Sequence, residues 1–238
     1  MNFAIIAAGD GSRLAQEGIP TPKPLVKLMG EPMIKRLIDI FVDCKAETIS
    51  VIVNEYMTEV RQYLGALQNV LPCNLNIVVK TTPSSMHSFM EVSKVFPEGS
   101  KFILTTVDTV FTREAFGAYV DFFEKAAPDV DGVMGVTTFI DDEKPLYVDV
   151  DGHNRITAYC DSPFENAKYI SAGVYGLTTP ALSVLRDCIE NGVSRMRNYQ
   201  RALVADGMNL LAYDMGKVLD VDHAGDIATA EKFLSGRN

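Results

Sequence analysis

The chain has 238 residues and a formal net charge of −9, with 47% hydrophobic and 22% charged residues. This is ordinary globular usage, and it allows a full apolar core. The acidic balance argues against sequence-independent binding of DNA or RNA, which needs a basic face. The apolar start of the chain is short and is cut by glycine, which favours a buried strand over a signal peptide. No stretch approaches the length of a membrane span.

We therefore expect a cytoplasmic protein with no nucleic-acid or membrane partner. The cysteines support this view because they are scattered and form no CxxC pair: they are Cys44, Cys73, Cys160 and Cys188. Free thiols in a reducing compartment are the expectation, and an all-cysteine zinc site is the alternative.

Apolar runs alternate with helical periodicity through the first half of the chain. Strands are predicted over Phe3–Ala8, Ile49–Val53, Leu75–Val79 and Phe102–Val107, and helices from Pro32, over Thr58–Leu67, over Ser85–Val95 and over Thr112–Ala126. Strand and helix in alternation are typical of βαβ units and a parallel sheet.

The second half has a different pattern. Strands are predicted over Gly132–Thr138, Leu146–Val150, Arg155–Tyr159, Tyr169–Leu177 and Asn209–Tyr213, and helices over Thr179–Glu190, Arg195–Ala205 and Asp226–Leu234. Asp151-Gly152 is a hairpin turn signal between two of these strands. The prediction is a single-domain, three-layer α/β/α fold with a mixed, mostly parallel sheet and a small β-hairpin lid. The domain covers residues 1–238, with a nucleotide-binding half over about 1–130 and an acceptor-binding half over about 131–238.

A glycine loop follows the first strand. It reads Ala8-Gly9-Asp10-Gly11-Ser12-Arg13, and its glycines allow backbone N–H groups to approach phosphate oxygens. A Rossmann fingerprint requires a third glycine where Leu14 stands, and a Walker loop requires Lys-Ser/Thr after its last glycine, so neither fits. The remaining interpretation is a phosphate loop that carries its own guanidinium, Arg13, which suits bidentate phosphate contacts. A plain βα connection is the alternative.

A lysine stands between two prolines a few residues later. The segment reads Thr21-Pro22-Lys23-Pro24-Leu25, and prolines on both sides stiffen the backbone that carries the charge. A rigid mount suits phosphate positioning by Lys23, whereas a solvated lysine in a rigid loop is the alternative.

These segments together resemble the N-terminal signature of the sugar-1-phosphate nucleotidyltransferases. The pattern is Gly9-x-Gly11-x-Arg13-Leu14, then Pro22-Lys23-Pro24-Leu25, then Gly30-Glu31-Pro32-Met33-Ile34. The resemblance implies a GT-A-like, Rossmann-like fold in which residues of the loop, Ala8 to Ser12, contact the nucleotide. It further implies that Arg13 faces the β- and γ-phosphates and that Lys23 reaches the reacting phosphates.

Aspartates are the candidate metal ligands. Asp108 ends an apolar strand on the same rim as the glycine loop, and Mg²⁺ prefers one or two carboxylates together with substrate phosphates. A helix N-cap is the other role for Asp108, although Thr112 is better placed for it. Members of the family close with a second aspartate before a final helix, at one of two spacings. One spacing selects Asp220 and the other Asp222, and we favour Asp222.

The loop after the third strand is the candidate site for the base. It corresponds to a small-residue loop of the family, which makes Ser85 and Ser88 candidates for contacts with base or ribose. Capping of the next helix by Ser84 is the alternative. A general base such as His87 is unnecessary, because the attacking phosphate oxygen is already ionised near neutral pH.

The candidate acceptor residues depart from the family pattern. Asp161 and Ser162 stand where many members have Glu and Lys of a Glu-Lys-Pro motif, so the usual lysine is missing, and Lys168 or Lys144 is a possible substitute. A strand like the family's Asn-Ala-Gly-Ile-Tyr contains Gly173, and glycine within a strand indicates close approach of a ligand to the backbone.

The function implied is Mg²⁺-dependent transfer of a nucleoside monophosphate from a nucleoside triphosphate to a phosphorylated small molecule. The catalytic candidates are Arg13, Lys23 and Asp108. A sugar 1-phosphate is the leading acceptor, and choline phosphate, methylerythritol phosphate and a molybdenum cofactor precursor are alternatives that related folds handle. A catalytically inactive nucleotide sensor is the alternative from another class.

Overall fold

The computed structural model describes residues 1–97, 99–140 and 144–236. The strands are β1 (Asn2–Ile6), β2 (Lys27–Leu28), β3 (Glu31–Pro32), β4 (Thr48–Val53), β5 (Asn74–Val79), β6 (Phe102–Thr106), β7 (Thr109–Val110), β8 (Gly132–Thr137), β9 (Tyr147–Val150), β10 (Ile156–Cys160), β11 (Tyr169–Leu177), β12 (Leu210–Asp214) and β13 (Leu219–Asp220). The helices are α1 (Ser12–Gln16), α2 (Met33–Asp43), α3 (Thr58–Gln68), α4 (Ser85–Ser93), α5 (Arg113–Lys125), α6 (Ala181–Glu190), α7 (Met196–Ala205) and α8 (Ala224–Leu234).

One nine-stranded mixed sheet organises the molecule. Its main path runs β10-β9-β11-β6-β1-β4-β5, and β8 and β12 branch from β11. Strands β6, β1, β4 and β5 are mutually parallel, while β11 runs antiparallel to β6 and to β8. The predicted class, a single α/β domain with a mixed sheet, is confirmed.

Alternation along the strands places helices on both faces of the sheet. In β1, Phe3 and Ile5 belong to one apolar cluster, and Ala4 and Ile6 belong to the other. Helices α2, α3 and α5 pack on the first face, and α4, α6 and α7 pack on the second. A strand covered on both faces is apolar at every position, which explains the continuous run at the start of the chain.

A third, smaller apolar cluster supports the rim where the candidate residues lie. It joins Leu14 after the glycine loop, Val110 of β7, and Leu219 and Val221 around β13, with Ala230 of α8. The two short strands β7 and β13 pair antiparallel. This cluster therefore attaches the end of the chain to the first βα loop.

The predicted hairpin is present, and it extends the main sheet. Strands β9 and β10 pair antiparallel, and β9 also pairs with β11, so the two strands form one edge of the sheet. Helix α7 packs against β10. Backbone hydrogen bonds to β11 explain why this segment is part of the sheet instead of a separate lid. Within the described residues, no helix is long and apolar enough to cross a membrane.

Candidate active site

The glycine loop leaves the carboxyl end of β1 between two parallel neighbours. The amide of Ala7 donates to Ile52 O at 2.9 Å, and the amide of Val107 donates to Ile6 O at 3.0 Å. Gly11 then adopts φ 61°, and α1 begins at Ser12. A Cβ at Gly11 would lie 3.0 Å from Lys23 Cβ. Gly11 is therefore required both by its left-handed backbone and by the close approach of Lys23.

Lys23 reaches two aspartates from a short 3₁₀ turn. The turn covers Lys23–Leu25, and the amide of Leu25 donates to Pro22 O at 2.8 Å. The ammonium of Lys23 donates to Asp108 Oδ2 and to Asp222 Oδ1, each at 2.6 Å, and its side chain is only 11% exposed. Arg13 adds a second cation, with Nη1 3.1 Å from Asp222 Oδ2. Side chains from three distant parts of the sequence thus form one ion-pair cluster.

The electrostatics of this cluster favour the charged forms of Lys23 and Asp222. Burial opposes the charge on Lys23, but the charges and hydrogen bonds of Asp108 and Asp222 outweigh it, so the pKa of Lys23 is raised. Burial likewise opposes ionisation of Asp222, but Lys23 and then Arg13 outweigh it and lower the pKa of Asp222. Opposite charges within a few ångströms act in this way.

Backbone pairing between β7 and β13 brings Asp222 close to Asp108. Asp220 pairs with Thr109 across β13 and β7, and the amide of Val221 donates to Asp108 O at 3.1 Å. Asp222 comes next in the chain and turns toward Lys23. Asp220 lines a neighbouring cavity instead. Of the two spacings left open by the sequence, the one that meets Asp108 through Lys23 is that of Asp222.

Two further carboxylates hold the loop that carries Asp222. Asp226 Oδ2 accepts from the amides of Asp222 and His223 at 2.9 and 2.7 Å. Glu17, directly after α1, contacts His223 Nδ1 and the amide of Ala224 at 2.6 Å each. The glycine-loop helix and the start of α8 are therefore tied together. The role of Glu17 could not be predicted from the sequence, because its partners lie near the other end of the chain.

A glycine-loop cavity of about 400 Å³ opens beside the ion-pair cluster. Its lining includes Ala8, Gly9, Asp10, Gly11, Ser12, Arg13, Lys23, Thr82, Ser85, Ser88, Asp108 and Asp222. Every residue predicted to contact the nucleotide, Ser88 included, lines this one space. Ser84 caps α4, accepting from the amide of His87, and its hydroxyl also lies 2.8 Å from His87 Nδ1. The capping role of Ser84 and the cavity position of Ser85 thus occur together.

A second cavity of about 490 Å³ adjoins the first. Arg13 and Asp222 line both cavities. The rest of its lining includes Thr137, Lys144, Ser171, Ala172, Arg197, Asp220 and His223. The ion-pair cluster therefore stands at the junction of two spaces, each large enough for a small ligand.

The three predicted acceptor residues lie apart from one another. Asp161 Oδ1 accepts from Arg197 and Arg201, each at 2.7 Å, in a third, open groove. Lys168 donates to its neighbour Tyr169 Oη at 2.6 Å, and it lies outside the linings of the two cavities and of this groove. Gly173 is also outside these linings. The sequence did not indicate Arg197, which lines both the second cavity and the groove.

The structure shows a reason for glycine at position 173 that the sequence analysis did not include. Its φ is 69°, and a Cβ there would lie 3.0 Å from Thr109 Oγ1. The pairing of β11 with β8 shifts register between Ser171 and Tyr175, as in a β-bulge. The side chain of Thr109 therefore favours glycine at this position, and the close approach of a ligand to Gly173 stays a prediction. The bulge leaves Ser171 and Ala172 lining the second cavity.

The donor set fits a divalent cation of the magnesium type. Asp108 and Asp222 already converge on one positive group, the ammonium of Lys23. Mg²⁺ is commonly bound by one or two carboxylates, with water and substrate phosphates completing the shell. Across residues 1–97, 99–140 and 144–236, no three His, Cys, Asp or Glu side chains gather as a metal cluster, and the four cysteines are free. Nothing in this part of the chain therefore supports the zinc alternative.

The chain belongs to the nucleotidyl transferase family, whose sequence model matches residues 4–235. It is also similar to a 2-aminoethylphosphonate cytidylyltransferase from Lancefieldella rimae, with 36% identity over 104 residues. That match covers 43% of this chain and 41% of the relative.

Solved structures share the fold over nearly the whole chain. The inositol-1-phosphate CTP transferase from T. maritima aligns with a TM-score of 0.78 and 20% identity, covering 97% of this chain and 96% of that one. A protein described as a glucose-1-phosphate thymidylyltransferase from Bacillus anthracis aligns with a TM-score of 0.84 and 18% identity, covering 100% and 96%. At these identities the likeness is one of fold.

Proposed function

We propose that this protein transfers a nucleoside monophosphate from a nucleoside triphosphate to a small acceptor that carries a phosphate or phosphonate, and releases pyrophosphate. The observation that carries the proposal is the position of Lys23, Asp108 and Asp222. Their ion-pair cluster lies where the glycine-loop cavity meets the second cavity, and Arg13 and Asp222 line both. A donor in one cavity and an acceptor in the other would meet at these charges.

In this proposal the first half of the chain binds the nucleotide. Phosphates occupy the glycine loop, with Arg13 against the leaving pyrophosphate, because a guanidinium suits bidentate contact with phosphate oxygens. Ser85 and Ser88 line the same cavity and would contact ribose or base. Residues of the second half, among them Ser171 and Arg197, line the acceptor side.

The reaction is an in-line displacement at the α-phosphorus. A bond forms from an ionised acceptor oxygen, and the bond to the bridging oxygen of pyrophosphate breaks. No proton needs to be removed from the acceptor. The protein's work is to position the two anions and to offset their charge, which Lys23 does at the α-phosphate. Asp108 and Asp222 would hold Mg²⁺, which supplies charge neutralisation at the phosphates when bound.

We propose two classes of acceptor, in order of preference. A sugar 1-phosphate is first, on the resemblance of the glycine-loop, Pro22-Lys23-Pro24 and Gly30-Glu31-Pro32 segments to the sugar-1-phosphate enzymes. Cytidylyl transfer to a small alkyl phosphonate or alcohol phosphate is second. It is supported by the 36% identity to a 2-aminoethylphosphonate cytidylyltransferase.

Pyrophosphate release tests the proposal. The purified chain is assayed with Mg²⁺ and each of CTP, UTP, GTP and ATP against sugar 1-phosphates, choline phosphate and 2-aminoethylphosphonate. Release with one pair supports transfer and names both substrates. Nucleotide binding with no release from any pair contradicts the proposal and favours the nucleotide sensor. Replacing Mg²⁺ with EDTA is the control for metal dependence.

A further inference from the structure

A third open space, the cationic groove, adjoins the second cavity. It is lined by Lys144, Tyr147, Asp161, Arg195, Arg197 and Arg201, among others, and encloses about 700 Å³. Among the residues that the structure describes, its lining contains four basic side chains and one acidic side chain, although the whole chain carries a net charge of −9. Positive charge is therefore concentrated here against the overall balance of the molecule, which favours an anionic ligand.

The guanidinium groups of Arg197 and Arg201 are held in place by the protein. Asp161 Oδ1 accepts from both Arg197 and Arg201 at 2.7 Å. Arg197 also donates to Lys144 O at 2.9 Å, and Arg201 Nε donates to Tyr159 O at 3.2 Å. One carboxylate cannot neutralise two arginines, so net positive charge remains on a rigid surface. Fixed donors of this kind bind an anion without first losing side-chain freedom.

Arg195 adds charge at the start of α7. It is the residue before the helix, its φ is 73°, and no side chain caps this helix start. Its side chain is exposed and has no ion pair within the described part of the chain. The backbone amides of the first helical turn point to the same end, which further favours negative charge there.

The groove is continuous with the proposed acceptor side of the active site. Lys144 and Arg197 line both the groove and the second cavity, as Arg13 and Asp222 line both the second cavity and the glycine-loop cavity. The three spaces therefore follow one another in order. If the reacting phosphate lies beside Arg13, where the second cavity meets the glycine-loop cavity, the far end of the acceptor can extend to the groove.

We propose that the cationic groove binds a second anionic group of the acceptor, a carboxylate or phosphate remote from the phosphate that reacts. The inference rests on the proposed function and narrows its substrate class to acceptors with two anionic groups. It also predicts discrimination against an acceptor whose remote group is an ammonium, because that group would meet Lys144 and Arg197.

Matched acceptors test the charge preference. Glucuronic acid 1-phosphate is compared with glucose 1-phosphate and glucosamine 1-phosphate, and 3-phosphonopropionate is compared with 2-aminoethylphosphonate. The expected result is a KM about tenfold lower for the carboxylate member of each series, as for one charge-assisted hydrogen bond. Equal values, or a preference for the amino member, would overturn the inference even if pyrophosphate is released.

Arg195→Gln tests the groove itself, with Arg186→Gln as the matched control. Both arginines are exposed, and Arg186 lies on α6 outside the groove. Arg195→Gln is expected to remove most of the carboxylate preference, while Arg186→Gln keeps it. Two results would contradict the assignment of the groove as the site of the remote anionic group. One is an equal KM change for all acceptors in Arg195→Gln, and the other is loss of the carboxylate preference in Arg186→Gln.

Direct binding separates failure of the groove from failure of the enzyme assignment. Calorimetry with 3-phosphonopropionate and 2-aminoethylphosphonate needs no turnover. If no pair releases pyrophosphate, the proposed function fails, yet tighter binding of 3-phosphonopropionate that Arg195→Gln weakens would still support an anion site. Malonate, a small dicarboxylate, tests for a separate effector site. If malonate changes the rate of pyrophosphate release without competing with the acceptor, and Arg195→Gln abolishes this effect, the groove is an effector site and the inference is overturned.

Discussion

Asp108 and Asp222 each accept a hydrogen bond from the same ammonium group, that of Lys23, at 2.6 Å. The two carboxylates come from the turn between β6 and β7 and from the segment after β13, and they are brought together because the amide of Val221 donates to Asp108 O. The ammonium of Lys23 thus pairs with the same two carboxylates that we propose for Mg²⁺. We therefore expect the lysine and the metal to compete for these oxygens.

Replacement of Lys23 by methionine is expected to tighten Mn²⁺ binding to the nucleotide-free protein by about tenfold. Removal of one partner leaves the two carboxylates with uncompensated charge, which a divalent cation relieves. Titration calorimetry or the paramagnetic resonance signal of free Mn²⁺ measures the affinity. Lys35→Met is the control, since Lys35 pairs with Asp39 on α2, away from the cavity. Unchanged or weaker Mn²⁺ binding in Lys23→Met would contradict competition.

Gly11→Ala is expected to lower the free energy of unfolding by about 1–2 kcal/mol and to weaken nucleotide binding. The backbone at Gly11 has φ 61°, and the new Cβ would press on Lys23 Cβ at 3.0 Å. Gly9→Ala is the matched control for stability, because no atom lies within 4 Å of a Cβ there. Urea unfolding measures both. Equal losses in the two variants would show that the left-handed conformation of Gly11 has no energetic importance.

Gly173→Ala tests the β-bulge of β11. We expect a loss of about 1–3 kcal/mol, because φ is 69° and the added methyl would lie 3.0 Å from Thr109 Oγ1. Gly152→Ala, in the hairpin turn and with nothing within 4 Å, is expected to change stability little. Thermal unfolding compares them. A fully stable Gly173→Ala protein would mean that Thr109 moves aside, and the close approach would then be without consequence.

Asp161 gives a prediction for acid pH. Hydrogen bonds from Arg201 and then Arg197 lower its pKa below the ordinary value of 3.8. A lowered folded-state pKa means that this contact stabilises the fold fully above pH 3.8, and that the contribution is lost as pH falls through the lower, folded-state value. The melting temperature of Asp161→Asn should therefore depend less on pH below 3.8 than that of the wild type. Because Asp161 is exposed, the difference is small.

Asp187→Asn is the control for this experiment. Asp187 lies on α6 and has no ion pair among the residues that the structure describes. Its variant should follow the wild-type pH dependence. An Asp161→Asn protein that follows the wild type as closely would show that the arginine contacts do not lower the pKa of Asp161 in solution.

The sequence predicted the long elements well because each has a period or an apolar run. Strands such as Tyr169–Leu177 carry enough positions to show burial on both faces. The short elements could not be predicted in the same way. Strands β7 and β13 have two residues each, and α1 has five, so none shows a period. Yet β7 and β13 decide where Asp222 lies.

The candidate site could be predicted only in part for a related reason. The glycine loop and Lys23 stand close together in sequence, and a resemblance could identify them. The choice between Asp220 and Asp222 depended on a pairing between two-residue strands. The partners of Asp161 on α7 are long-range contacts between side chains, which no local pattern encodes. The proximity of Thr109 to Gly173 is likewise a long-range contact, and the approach of a ligand to Gly173 stays a prediction.

The most direct measurement of the central claim is the rate of Mg²⁺-dependent pyrophosphate release in the wild type, Asp108→Asn and Asp222→Asn, each with its best substrate pair. The account predicts release by the wild type and a fall of about 100-fold or more in kcat for both variants, with melting temperatures close to that of the wild type. Undiminished release in either folded variant would contradict the assignment of these two carboxylates to the reaction.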